Sequence, residues 1–313
     1  VYMDSSAELR GPGGWDIRQV MSLTMGRELG FSDSARRRPP QADHDLYHPL
    51  AADLLYYADA IRGLPFSISI PCLMVNETLF MDLGVEPPPA YRPLGVLEWL
   101  DKAGDLTAAA RRRGMDDVWG CVHFGCISLL RQMGVPLYDA GRECFCFDSP
   151  SLSGVLKDII SRREIAYETS KNLTAFHGQF RKGRIGMLPR GTFEMPCWMD
   201  MPGYRVCPAP LDPGGAYHAV LLINTISKNS PFQEECWEFL HFLQSKEAQD
   251  IYASGAFNLP ALLESQETYF RSVGKKHAFL RDTLARSGVF NEGGWGVAEF
   301  LSATAEKEIW AAT

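Results

Sequence analysis

The chain has 313 residues, more than one hydrophobic core usually supports, so two lobes are expected. Hydrophobic residues make up 46% and charged residues 22%, an ordinary globular composition that sets disorder aside. The net charge of -7 argues against a general nucleic-acid binder, and apolar runs such as AVLLI at 219–223 are far too short for a membrane-spanning helix.

Taken in chain order, the first β-rich run is VYM at 1–3, followed by a loop at 32–49 that carries Arg36, Arg37 and Arg38 ahead of two prolines. FSISI at 66–70 and CLMV at 72–75 read as strands, and the Pro-rich PPPAYRP after them as a loop. LGVLEWLDKAGDLTAAARRRG predicts a helix ending towards Gly114. SPSLSGVLKDIISRRE predicts another, with Ser149 as cap, Pro150 in the first turn and Leu152, Val155, Leu156 and Ile159 on the apolar face. RIGML at 184–188, YRVCPAP at 204–210 and HAVLLI at 218–223 are further strands. The stretch from Asn229 to Gly255 reads as one long helix: Ser230 caps it, Pro231 and Gln233 fill the first turn, and Phe232, Cys236, Phe239, Leu240 and Leu243 form the buried face. Strands interleaved with helices imply an α/β layered architecture, in which ligands sit at loops beyond strand ends and between lobes.

Eight cysteines are present without any CxxC. Cys121 and Cys126 bracket His123, and Cys144 pairs with Cys146 in CFC, but most of the eight sit among apolar neighbours, which favours burial as small hydrophobes over a metal site. No metal and no cofactor is expected. No charged-then-apolar leader opens the chain, which leaves its compartment open.

Four stretches resemble the extracellular solute-binding proteins of ABC importers, the sugar-binding family that includes the maltose-binding proteins. IRGLPFSISIPCLMVNETLFMDLGVEPPPAY is similar to the family's crossover, with Asn76, Phe80, Gly84, Val85, Pro87 and Pro88 at matching places and Val75 and Glu77 replacing the usual Tyr and Lys. FRKGRIGMLPRGTF resembles a Phe-x-x-Gly-Lys-x-Ala-Met-x-x-x-Gly-x-Trp run. INTISKNSPFQEECWEFLHFLQSKEAQDIYASGAFNLPA and FNEGGWGVAEFLSATAEKEIW are similar to later segments, so the likeness spans most of the chain from about residue 60. It implies an α/β, two-lobed periplasmic-binding-protein-like fold with a hinge and an interlobe ligand cleft. Lobe I would hold 1–70 and 222–262, and lobe II 71–219 and 263–313. Against the family pattern the chain looks shortened at both ends, with lobe I lacking its first strand and helix.

The resemblance also implies a site. Gly191 would let backbone amides approach a solute, and Phe193 and Trp295 would offer flat faces to sugar C–H patches. Arg190 would supply a planar polar group, and it keeps an anionic solute open because a guanidinium can grip a phosphate or carboxylate. Tyr217 and His218 precede the strand that returns between lobes, and Asp4, Ser5 and Ser6 would bond hydroxyls from the other lobe. The implied function is capture of a sugar, oligosaccharide or polyol and delivery to membrane permease subunits, by a monomer outside the cytoplasm. Two other readings stand beside it. One is a glycan hydrolase pairing Asp200, Asp212 or Glu292, although no nucleophile elbow, HExxH or phosphate-cradling loop supports an enzyme. The other is a ligand-binding sensor on the same fold.

Overall fold

Short apolar runs alternating with amphipathic helices form, among the described residues, a four-stranded and a five-stranded sheet and two two-stranded ones. The computed structural model describes residues 17–21, 44–52, 63–122, 126–139, 141–146, 150–162, 165–167, 175–227 and 230–289. The chain divides into two units, the first comprising 1–68, 220–255 and 259–269 and the second 69–219, 256–258 and 270–313.

The sheet of the first unit has four strands in the order Ile17–Met21, Val220–Ile226, Leu64–Ser69 and Leu259–Pro260. Ile17–Met21 runs antiparallel to Val220–Ile226, and Leu259–Pro260 antiparallel to Leu64–Ser69. Leu64, Ile68, Leu221, Ile223 and Ile226 are buried, as the apolar content of these runs requires.

The long helix expected between Ser230 and Gly255 is instead two helices, Gln233–Leu243 and Lys246–Ser254. Ser245 makes the break: its backbone is extended, with φ -68° and ψ 151°, and its side chain accepts from Ala248 N, capping the second helix. At the start, Ser230 Oγ accepts from Phe232 N at 3.1 Å in a local turn, so the first helix begins two residues beyond the proline. Cys236 and Leu240 face inwards, whereas Phe232 and Phe239 are exposed. Buried Gln249 ties the second helix down, its amide donating to Leu243 O at 3.0 Å.

The sheet of the second unit has five strands, ordered Ala166–Tyr167, Trp119–Val122, Ile185–Gly191, Pro71–Asn76 and Tyr204–Pro208. The first two pairings are parallel and the last two antiparallel. Helix Val96–Arg112 packs on it through Val96, Trp99, Leu100, Ala103, Leu106 and Ala110, a helical repeat of apolar positions. Its approach depends on Gly120, where an added Cβ would stand 1.9 Å from Ala103 O. Thr107 Oγ1 locks the contact by donating to Ala103 O and accepting from Gly120 N at 2.8 Å. Helix Glu77–Leu83 starts at Asn76, whose side chain accepts from Leu79 N, and stops at left-handed Gly84.

Leu64–Ser69 leads into Pro71–Asn76 through Ile70 alone, so the chain leaves one sheet and enters the other within a residue. Ala219 alone links Tyr217–His218, a short strand paired with Ser287–Gly288, to Val220–Ile226 of the four-stranded sheet. Cys72, Cys121, Cys126, Cys207 and Cys236 are buried thiols, whereas Cys144 and Cys197 are exposed. The short strand that carries Cys144 pairs antiparallel with Tyr138–Asp139.

Candidate functional site

Strand Ile185–Gly191 pairs with Pro71–Asn76 in a register that sets Cys72 opposite Arg190 and Pro71 opposite Gly191. The end of the strand therefore arrives beside the crossover at Ser69 and Ile70. An added Cβ on Gly191 would stand 2.3 Å from Ser69 Oγ and 2.8 Å from the Phe193 ring. Its φ of -85° is unstrained, so glycine is required here by close approach rather than by backbone conformation.

Thr192 anchors the turn that begins beyond this strand. It is fully buried; its N–H donates to Ile70 O at 2.9 Å, and its hydroxyl accepts from Ile70 N at 3.3 Å. The same hydroxyl donates to Asn258 Oδ1 at 2.7 Å, and Asn258 is itself buried. Asn258 belongs to the short excursion 256–258, which begins at Ala256 with φ +56°, a left-handed conformation uncommon for a residue with a Cβ. A buried polar pair thus joins two stretches far apart in sequence. On its two sides stand half-exposed rings, Phe193 and Phe257, each 51% accessible.

Arg190, one residue before Gly191, is already engaged. Its guanidinium carbon lies 4.0 Å from the centroid of the Phe176 ring, and its Nε is 3.4 Å from Glu194 Oε1. His177 Nε2 approaches the same carboxylate oxygen at 3.5 Å. Burial pushes Glu194 up to about 7 despite the opposing pull of Arg190. His177 is pushed down to about 4, first by burial and then by the charges of Arg190 and Arg181. The histidine is therefore neutral at pH 7, and its contact with Glu194 is a polar contact and not an ion pair. The Trp198 ring lies parallel to His177, with centroids 6.4 Å apart, and closes this side of the cluster.

Tyr217 is a core residue. It is 2% exposed, and its hydroxyl donates to Ala209 O at 2.7 Å. What it offers a site is backbone placement, through a parallel pairing with Ser287. His218 is partly buried beside it, and burial, reinforced by Arg131, pushes its imidazole down to about 4. Arg190, Gly191 and Phe193 are thus brought together, while Tyr217 and His218 sit on a separate short strand. Asp4, Ser5, Ser6 and Trp295 lie outside the described residues.

Thr192, Asn258, Glu194 and Phe257 escaped the sequence reading. Thr192 lay inside the Gly-Thr-Phe run, and a hydroxyl between glycine and an aromatic was the available signal. Of the carboxylates considered for a hydrolytic pair, Asp212 Oδ1 accepts from Val96 N at 3.0 Å as a helix-end partner. Asp200 is held by Lys276 at 2.7 Å, which pulls its carboxyl below the usual range. No group of three or more His, Cys, Asp or Glu residues placed to hold a metal ion occurs among the described residues.

No protein-family model matches the chain, and a search of curated proteins finds no relative. Solved structures do match. The GacH receptor of Streptomyces glaucescens, solved unliganded and in complex with acarbose, superposes with a TM-score of 0.74 at 16% identity over 96% of this chain and 80% of that one. An ABC substrate-binding protein from Listeria monocytogenes in complex with cycloalternan gives 0.72 at 19% identity, over 96% and 85% of the two chains. This chain has the fold of the ABC solute-binding proteins. Maltose-bound T. maritima MalE3 extends the likeness, with a TM-score of 0.72 at 16% identity over 95% of this chain and 79% of that one. The α/β, periplasmic-binding-protein-like architecture expected from the sequence is the one observed.

Proposed function

We propose that the chain is the solute-capturing component of an ABC importer. It captures a sugar, oligosaccharide or related polyol, closes on it, and passes it to membrane permease subunits without altering it. The observation that carries this reading is the half-exposed Phe193 ring at a strand end, held there by buried Thr192, in a chain whose fold is that of carbohydrate-binding proteins. A sugar presents C–H patches on its ring faces and hydroxyls at its edges, so an aromatic face flanked by backbone amides suits it. Closure draws its free energy from contacts made only in the closed form, and no covalent step is needed. Arg190, Gly191, Phe193 and, from the outlying segments, Asp4, Ser5, Ser6 and Trp295 are the proposed contacts, with Tyr217 and His218 setting the backbone at the crossover. The protein works as a monomer at the periplasmic or extracellular face.

Intrinsic tryptophan fluorescence of the purified chain, titrated with neutral sugars and polyols, tests the reading. A saturable change is expected, with affinity falling about tenfold or more in Phe193→Ala and Trp295→Ala as stacking area is lost. A folded protein silent to every sugar and polyol, or one that hydrolyses a glycoside, overturns it.

A further inference from the structure

An arginine at the mouth of a solute site would ordinarily be taken as a hook for a phosphate or carboxylate. Arg190 is not so arranged. Its guanidinium lies on the Phe176 ring, its Nη1 donates to Pro189 O at 3.2 Å, and its Nε faces Glu194. The Glu194 side chain is 11% exposed and the Arg190 side chain 25%, so the pair is largely removed from water. A carboxylate placed there is costly unless it answers a nearby charge, and among the described charged partners of Glu194 that charge is Arg190.

We propose that Glu194 is a specificity-determining counter-ion: it occupies Arg190 from within, so that the site around Gly191 and Phe193 accepts uncharged sugars and polyols and turns away sugar acids and sugar phosphates. This rests on the solute-binding reading above and narrows its substrate class. An incoming anion would have to compete with a carboxylate already in place and would meet its repulsion, a desolvated like-charge contact. A neutral hydroxyl pays neither cost. Among the described residues, three further titratable groups face the pair from neighbouring elements. His177, from helix Ala175–Arg181, is neutral at pH 7. Arg181 is drawn over the Trp198 ring at 5.4 Å. Cys72, from strand Pro71–Asn76, has a thiol that burial keeps protonated. Protonating Glu194 should therefore imitate its removal.

The test compares the full chain with Glu194→Gln by calorimetric titration. Matched probes are maltose with maltobionate, D-mannitol with mannitol 1-phosphate, and D-tagatose with tagatose 6-phosphate. The unaltered chain at pH 8 is expected to bind a neutral member at least about tenfold more tightly than its anionic partner, and Glu194→Gln to narrow that ratio by about tenfold. The double variant Arg190→Gln/Glu194→Gln should restore discrimination, which a merely structural role for Glu194 would not do. Maltobionate keeps its charge from pH 5.5 to 8, so its relative affinity for the unaltered chain should rise as pH falls through about 7. Tighter binding of the anionic members by the unaltered chain, or an unchanged ratio in a folded Glu194→Gln, overturns the inference and leaves solute binding intact. Silence to all six probes overturns both.

Discussion

Replacing Thr192 with valine removes one oxygen and leaves the side-chain shape nearly unchanged. The hydroxyl accepts from Ile70 N at 3.3 Å and donates to Asn258 Oδ1 at 2.7 Å, and Thr192, Ile70 and Asn258 are all buried. The net value of two neutral hydrogen bonds is about 1–3 kcal/mol, and leaving the Asn258 carbonyl without that donor in a dry site adds about 1–2 kcal/mol. The variant should therefore lose roughly 2–5 kcal/mol, whereas Thr192→Ser should stay within about 1.5 kcal/mol of the parent, because it keeps the hydroxyl and loses one methyl. Urea unfolding followed by circular dichroism measures this, and a shifted midpoint at constant slope identifies a stability change. Because Gly191 and Phe193 flank Thr192, sugar affinity should fall in Thr192→Val and survive in Thr192→Ser. If Thr192→Val unfolds within about 0.5 kcal/mol of the parent, the Thr192–Asn258 bond does not anchor the aromatic loop.

Glu194 gives a pH signature. Its carboxyl is raised from 4.5 to about 7, so the stability linked to it is full below its unfolded value and is lost as pH rises through about 7. That difference corresponds to roughly 3 kcal/mol, so Glu194→Gln should gain on the parent by up to that amount between pH 4.5 and 8. A flat difference in melting temperature across this range would remove the assignment. Gly120→Ala should unfold the second unit or cost several kcal/mol, because its Cβ would meet backbone at 1.9 Å, and near-parental thermal stability would refute the close approach. Asn76→Ala removes the acceptor for Leu79 N at 3.0 Å and should cost about 1 kcal/mol in chemical denaturation, with Asn76→Asp retaining most of it.

What the amino-acid sequence determined by itself was the identity and order of the elements. Periodicity placed the helix at Val96–Arg112 and the strands around 66–75, 184–188, 204–210 and 218–223, because burial of an apolar face is dictated by side-chain spacing. Where two local signals competed, the reading failed. Ser230 was read as the cap of one long helix, but it is held in its own turn by Phe232 N, and Ser245, accepting from Ala248 N, starts a second helix that periodicity alone did not separate. The same limit applies to the candidate site. Gly191 and Phe193 stood out as residue types, but the hydroxyl that holds them finds its partner 66 residues away. Arg190 read in sequence as an open guanidinium, whereas the folded chain sets Phe176 and Glu194 against it. A side chain's charge is written in the sequence. Which charge answers it, and whether water reaches the pair, depends on strands and helices that meet only when the chain has folded.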